Sequence, residues 1–351
     1  MLSTIFGAYL FLAASLISIP VYLAILYVIA GHRRLRVFRS AFYSVVLSNG
    51  IFDLAGAVLF AVAGCAPLTI FKEVFWNSRK TYLPVIGLAL NVMFLYIRLF
   101  GLVTLVLERT FATLCRTSTY IKWQQRPICC SSTIIRWLIA LTLSWPMFIQ
   151  MDISYKKNSH GEIMPSIPAD RIQTDILLAG VVTWTCVLVN TTIYAGILLK
   201  MVTKCSMPVD HEWRYTLQAL VLTLAPAAMA VHFTYIYITI DKARLPTNLF
   251  DEMARWFFLY NVLLSYLPPW LLLLFNVEIR KGLAAIEKLG KLLQNLLEQI
   301  YNGTVTWPIV TKQYRKFFKS AQNKAKQPLP TQQITLGRNI PNCQRNSKDF
   351  N

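Results

Sequence analysis

Two pairs of oppositely charged residues lie inside or at the edge of long apolar runs. Asp53 and Arg98 each stand alone among apolar neighbours, and Glu108-Arg109-Thr110 closes the run that contains Arg98. Charges in apolar surroundings are costly, so they usually face one another or a wet cavity. We expect Asp53 and Arg98 to form a structural or switching pair. Direct ligand contact and an ion or proton path are the alternatives.

The pair Glu108 and Arg109 has two interpretations. Ionisable residues are common where an apolar helix meets water, so the pair can be an ordinary interfacial one. Alternatively, Glu108 holds Arg109 in one state and releases it toward a partner in another. A charge pair at low dielectric is strong enough to hold such a state, yet protonation or docking can break it.

The composition indicates which medium surrounds these residues. Of 351 residues, 55% are hydrophobic and only 15% are charged, against about 25% charged in ordinary soluble domains. One protein core could not bury that much apolar surface, whereas a bilayer can. The net charge of +19 lies between the apolar runs and in the C-terminal tail. This pattern is typical of membrane topology, and we expect no nucleic-acid partner.

Seven apolar runs are long enough to cross a bilayer as helices. They cover about 5–30, 41–63, 83–107, 134–151, 176–199, 215–240 and 254–275. Continuous runs exclude a barrel of alternating strands, so residues 1–275 predict an all-α membrane protein built as a seven-transmembrane helix bundle. Asp53 and Arg98 are the only clear charges inside these spans. They lie about 18 Å and 22 Å from opposite ends of their helices, within reach of the long Arg98 side chain.

The distribution of Lys and Arg predicts the orientation. Their excess lies in the odd-numbered loops and the tail, which places the N-terminus outside and the tail in the cytoplasm. The first run lacks preceding basic residues, so it reads as a retained span rather than a signal peptide. Residues 276–303 have one apolar stripe and predict an amphipathic helix on the inner leaflet. Residues 304–351 are polar and basic and predict a disordered cytoplasmic tail.

Amphipathic side chains in the predicted outer halves of the spans suit a small organic ligand in a mostly apolar pocket. The competing interpretations are interfacial aromatic belts and hydrogen bonds between packed helices. The candidates are Asn91, Thr183, Trp184, His232, Tyr235, Trp256, Tyr260 and Asn261.

Other chemistry has little support in the sequence. The seven cysteines follow no metal-binding spacing, so we expect no metal site. Cys129 and Cys130 are candidates for palmitoylation, with free cytoplasmic thiols as the alternative. No nucleophile–base pair or phosphate-binding glycine loop occurs, and the seventh run has no Lys for a retinal Schiff base. We therefore predict a protein that is not an enzyme and holds no cofactor.

Glu108-Arg109-Thr110 resembles the acid-Arg-aromatic motif that closes the third helix of rhodopsin-like receptors, with Thr110 in place of the aromatic residue. Other hallmarks of those receptors are missing. Pro268-Pro269-Trp270 stands where Asn-Pro-x-x-Tyr is expected, and the second outer loop has no cysteine for a bridge. These departures argue against an ordinary receptor of that kind.

A larger set of short motifs is spread along the chain up to about Arg280. These stretches are Ile19-Pro20-Val21-Tyr22, Leu26-Tyr27-Val28-Ile29, Phe38-Arg39-Ser40-Ala41-Phe42-Tyr43, Gly50-Ile51-Phe52-Asp53-Leu54, Arg98-Leu99-Phe100-Gly101, Tyr120-Ile121-Lys122-Trp123 and Pro268-Pro269-Trp270 running through Phe275 into Glu278-Ile279-Arg280. In these stretches the chain more closely resembles the nematode serpentine chemoreceptors, namely the Srg superfamily and its Srv class. The resemblance implies a G-protein-coupled chemoreceptor in the plasma membrane, including that of sensory cilia, with Glu108, Arg109 and Thr110 as the coupling switch for a heterotrimeric G protein. A transporter or channel for a small solute is the alternative.

Overall fold

The computed structural model describes residues 4–31, 38, 40–69, 71–114, 128–149, 152–157, 161–203, 210–242 and 247–284. Each of seven long helices in this part of the chain contains a stretch long and apolar enough to cross a membrane. The prediction of a seven-span helical bundle is therefore confirmed. The helices are α1 (Thr4–Gly31), α2 (Ala41–Phe60), α3 (Leu83–Leu114), α4 (Ile128–Ile149), α5 (Ala169–Thr203), α6 (Asp210–Lys242) and α7 (Thr247–Phe275).

Most of the helices are longer than the apolar runs that predicted them. Helix α5 begins at Ala169, whereas the run begins at 176, and α3 continues to Leu114 rather than ending near 107. Backbone hydrogen bonding favours continuing a helix past the membrane border, and polar side chains there cost little. Helix α2 ends differently, passing into a π-helical segment (Ala61–Cys65) and a 3₁₀ turn (Ala66–Leu68) that contains Pro67.

A two-stranded antiparallel hairpin between α4 and α5 is an addition to the predicted helical bundle. It consists of β1 (Ser154–Lys157) and β2 (Ile163–Ser166). Gly161 adopts φ 73° just before β2, a backbone conformation that glycine adopts without strain. The aromatic ring of Tyr155 packs edge-on against Phe75 of a short helix (Lys72–Asn77), with ring centroids 5.6 Å apart. We call this end of the bundle the hairpin end, and the opposite end the Arg109 end.

Helix α3 occupies the middle of the bundle. It packs against α2, α4, α5 and α6, while α7 packs against α1 and α6 and so closes the arrangement. Tyr96 and Leu99 of α3 are fully buried and pack with Met229 of α6 in the main core. Because α3 packs against four other helices, a displacement of α3 changes its contacts with all four of them.

The outward faces of the helices are apolar and exposed. Leu16 and Ile17 on α1, Ile134 on α4, Leu188 on α5 and Leu224 on α6 all expose more than half of their surface. Soluble monomers rarely expose contiguous apolar surface of this extent. Together with the seven spans, these faces identify a multi-pass membrane protein.

A further helix, α8 (277–284), follows a break at Asn276. The Asn276 Oδ1 atom accepts hydrogen bonds from the backbone N–H groups of Glu278 (3.1 Å) and Ile279 (3.2 Å), which makes Asn276 the N-cap. Its Nδ2 donates to the Tyr43 hydroxyl on α2 at 2.8 Å. Residues 285–303 of the predicted amphipathic helix and the predicted tail at 304–351 lie outside the described residues.

Candidate functional site

A polar cluster lies at mid-depth in the bundle and consists of Tyr22, Asp53, Arg98 and Asn261. The Arg98 Nε atom lies 3.6 Å from the Asp53 carboxylate, and both side chains are buried. The Tyr22 hydroxyl donates to Asp53 Oδ2 at 2.6 Å. Arg98 also donates to Asn261 Oδ1 (3.2 Å) and to the backbone carbonyl of Asp53 (3.1 Å). This mid-bundle polar cluster joins α1, α2, α3 and α7, and it neutralises both charges internally.

Glycine gives the Arg98 guanidinium its space on α2. A Cβ atom on Gly56, one turn after Asp53 in the helix, would lie 3.0 Å from Arg98 Cζ and closer still to a terminal nitrogen. No other residue type fits there without moving the guanidinium. The local sequence of α2 thus provides both the Asp53 carboxylate and, at Gly56, the space that the Arg98 guanidinium occupies.

Arg136 is a further buried charge inside the spans and corrects the expectation that Asp53 and Arg98 are the only clear ones. It lies in the fourth span and is only 5% exposed. Its guanidinium donates to Asn49, to Ser48 at 3.1 Å and to Thr133 at 3.1 Å. Because the apolar run around position 136 begins only two residues earlier, sequence reasoning grouped this arginine with the adjoining loop.

The Arg109 end contains the predicted coupling residues. Glu108 is buried, and its Oε2 atom lies 3.8 Å from Arg109 Nε. The Arg109 guanidinium carbon lies 3.5 Å from the ring centroid of Phe42 on α2, a cation–π contact. Thr110 donates its hydroxyl to the Val106 carbonyl at 2.9 Å. Arg109 is therefore held against α2 as well as beside its acidic neighbour.

A pocket of about 220 Å³ opens between α2, α3, α5, α6 and α7 at the hairpin end, and the hairpin covers part of it. Its walls are mainly apolar and aromatic, including Phe233 of α6 and Phe258 of α7. Tyr155 of β1 also lines it, and burial raises the pKa of Tyr155 to about 12, so its phenol stays neutral. A second cavity near the mid-bundle polar cluster measures only about 40 Å³. The larger pocket is the one with room for an organic ligand.

Three of the eight predicted ligand residues line this pocket, namely Asn91, His232 and Tyr260. The His232 ring packs against Trp256 (centroids 5.7 Å apart) and Tyr260 (5.6 Å), so the imidazole is held in an aromatic cluster. Their depth along the spans and their amphipathic side chains were the signals that predicted these positions from the sequence.

The other five candidates lie elsewhere. Thr183 is fully buried and donates to the Ala179 carbonyl at 2.7 Å. Trp184, Tyr235 and Trp256 are exposed on the outer faces, where Trp184 donates to Thr234 at 2.9 Å. Asn261 belongs to the mid-bundle polar cluster. Sequence spacing gave the depth of these residues but not the direction in which each one points.

Asp175 is a pocket residue that sequence reasoning missed. It lines the pocket, and its Oδ2 atom is buried without a hydrogen-bond partner. The predicted fifth span began at Ile176, so Asp175 was grouped with the outer loop. Because α5 starts seven residues earlier than predicted, Asp175 instead stands one turn or more inside a continuous helix.

The remaining predicted sites have no described geometry. Cys129 and Cys130 lie in the first turn of α4, and their side chains fall outside the described part of the chain. Among the described residues, no group of three or more His, Cys, Asp or Glu side chains could hold a metal ion. Cys65 and Cys186 are buried free thiols.

Seven spanning helices around a mostly apolar pocket define a serpentine membrane protein. A family model described as serpentine type 7TM GPCR chemoreceptor Srv matches residues 11–288, and the chain belongs to this chemoreceptor family. The match covers all seven spans and confirms the predicted resemblance. No curated protein matches the chain.

Proposed function

We propose that this chemoreceptor binds a small chemical cue in the pocket at the hairpin end and activates a heterotrimeric G protein at the Arg109 end. In the proposed orientation, the hairpin end faces outside the cell and the Arg109 end faces the cytoplasm, as the excess of basic residues suggests. The plasma membrane, including that of sensory cilia, is the location where such a receptor would meet its cue.

One observation carries this proposal: a single helix, α3, links the pocket to the coupling motif. Asn91 of α3 lines the pocket, Arg98 lies in the mid-bundle polar cluster, and Arg109 stacks on Phe42. These positions span about 27 Å along one helix. A ligand that favours a different position of α3 would shift all three contacts together, which is the differential binding that a population shift requires.

The Glu108–Arg109 pair supplies the switch in this scheme. Arg109 is only partly exposed while it lies over Phe42 and beside Glu108. Release from these two contacts would present a guanidinium with five donors to an acidic or carbonyl-rich partner surface. Thr110 forms a hydrogen bond within its own helix and does not compete for Arg109.

The test is a ligand screen in cells that express the full chain with a G-protein reporter. We expect an active cue to raise the signal, and Arg109→Ala to abolish this response at equal surface expression. Lys281→Ala is the matched control, because Lys281 is an exposed basic residue on α8 that pairs with Glu278 at 3.2 Å. A response that survives Arg109→Ala would contradict the proposed switch.

The alternative transporter or channel has a separate outcome. Cue-dependent solute flux in cells that lack heterotrimeric G proteins would replace the receptor proposal. The buried charges of the mid-bundle polar cluster are paired with each other, which supports a closed packing layer rather than a pathway for solute.

A further inference from the structure

We propose that the pocket at the hairpin end selects a small organic amine, whose ammonium group pairs with Asp175. This inference deepens the proposed function, because it names the chemical class of the cue. It depends on three features of the pocket: its charge, its aromatic walls and its size.

The charge of the pocket is negative and unbalanced. Asp175 is the one Asp, Glu, Lys or Arg among the described residues that line it. Its Oδ2 atom is buried and receives no hydrogen bond. Arg171, one turn earlier on α5, attracts the Asp175 charge through space, but it is exposed and forms no ion pair with Asp175 within 4.0 Å. A carboxylate whose buried oxygen receives no hydrogen bond is costly, so the site gains most from a ligand that brings a cation with N–H donors.

The aromatic walls favour the same kind of ligand. Tyr155, Phe233, Phe257, Phe258 and Tyr260 all line the pocket. Aromatic faces attract organic cations, and this attraction increases when water is excluded. An anionic ligand would be repelled by Asp175, and a neutral alcohol would offer only an uncharged hydrogen bond to the carboxylate.

The size of the pocket limits the ligand to one or two rings or a short branched chain. About 220 Å³ is available, and the hairpin residues Tyr155, Ile163 and Met164 form part of the boundary. The apolar part of the amine would pack against these side chains and against Ile236 and Ile176 on α6 and α5. The ligand class that fits all three features is a small aryl- or alkylamine.

The experiment uses the purified full chain in detergent and measures dissociation constants from ligand-induced shifts of its thermal unfolding midpoint. The probes are matched sets of equal size: isoamylamine, 2-phenylethylamine and tryptamine, each with its alcohol and carboxylate counterpart. We expect the amines to bind about tenfold or more tightly than their alcohols, as for hydrogen bonds to charged groups. The carboxylates should bind most weakly.

Two variants connect this preference to Asp175. Asp175→Asn should reduce the preference for amine over alcohol to about one, mainly by weakening amine binding, whereas Asp175→Glu should retain much of it. Glu73→Gln is the matched control, since Glu73 is an exposed acid on the short helix at the same end. If Asp175→Asn does not fold, the preference of the unaltered chain and of Asp175→Glu remains decisive.

Several results would overturn the proposal. These are equal binding of amines and alcohols by the unaltered chain, tighter binding of carboxylates, no binding of any amine at about 1 mM, or an amine preference that survives Asp175→Asn. Binding by the purified chain requires no G protein, so the two proposals fail separately. Amine binding without G-protein activation would contradict only the proposed function. Activation by neutral cues would contradict only the proposal that the ligand is an amine.

Discussion

The mid-bundle polar cluster and the pocket at the hairpin end each contain an aspartate with a buried carboxylate oxygen, but the surroundings of the two carboxylates differ. Asp53 is 3.6 Å from an arginine and accepts a hydrogen bond from Tyr22 at 2.6 Å. Asp175 has a buried oxygen with no donor within the described part of the chain. The first carboxylate joins the packing of four helices, whereas we propose that the second pairs with a bound ligand.

Removing the cation of the polar cluster should have the largest effect on stability. Arg98→Leu leaves Asp53 buried without its countercharge, which costs about 3–5 kcal/mol in comparable buried pairs. We expect a large loss of surface expression and a much lower thermal unfolding midpoint in detergent. The double variant Asp53→Leu/Arg98→Leu should recover most of this loss, because neither charge remains. Equal losses of stability in the single and double variants would show that the unpaired charge of Asp53 is not the cause of the destabilisation.

A smaller effect should follow from filling the gap beside Arg98. Gly56→Ala places a methyl group 3.0 Å from Arg98 Cζ, and the guanidinium must move away from Asp53. Overpacking of this kind costs about 1–3 kcal/mol. Gly196→Ala is the matched control, because a Cβ atom at Gly196 of α5 meets nothing within 4 Å. We expect the thermal unfolding midpoint of Gly56→Ala to be clearly lower than that of Gly196→Ala.

The smallest effect on stability should come from substitution of Asp175. This substitution is also the most sensitive test of the contrast between the two aspartates. Asp175→Asn removes a charge whose buried Oδ2 atom accepts no hydrogen bond and which forms no ion pair within 4.0 Å. We therefore expect a change within about 0.5 kcal/mol or a slight stabilisation. Asp53→Asn, measured in parallel by thermal unfolding, should be distinctly destabilising. If Asp175→Asn destabilises the chain as much as Asp53→Asn does, then Asp175 also serves packing, and the contrast between the two regions is wrong.

Much of the fold follows from the sequence, because the cost of exposing backbone groups to lipid leaves helices as the only element for long apolar runs. The helix ends do not follow, since polar residues can extend a helix past the membrane. This is why Asp175 was assigned to a loop, and why Arg136, two residues from the predicted start of its span, was not counted as a charge inside it. The hairpin was also missed, because its strands are only four residues long and lack the alternating pattern of longer strands.

Part of the candidate site could be predicted from the sequence. Helical rise along α2 and α3 places Asp53 within reach of the long Arg98 side chain, and the structure brings the two side chains together. The rotation of each helix about its axis could not be predicted from the sequence. Trp184 and Trp256 were therefore grouped with pocket residues, although they lie exposed on the outer faces. Depth can be counted along a sequence, but the face that a residue presents depends on how neighbouring helices pack.

Guanine-nucleotide exchange by a purified heterotrimeric G protein, measured with the full chain in lipid nanodiscs, tests the central claim most directly. A cue that binds the pocket should accelerate exchange, Arg109→Ala should remove the acceleration, and binding of the cue should persist in that variant. Pocket binding that leaves the exchange rate unchanged across a panel of G proteins would contradict the account. So would acceleration that is equal with and without Arg109.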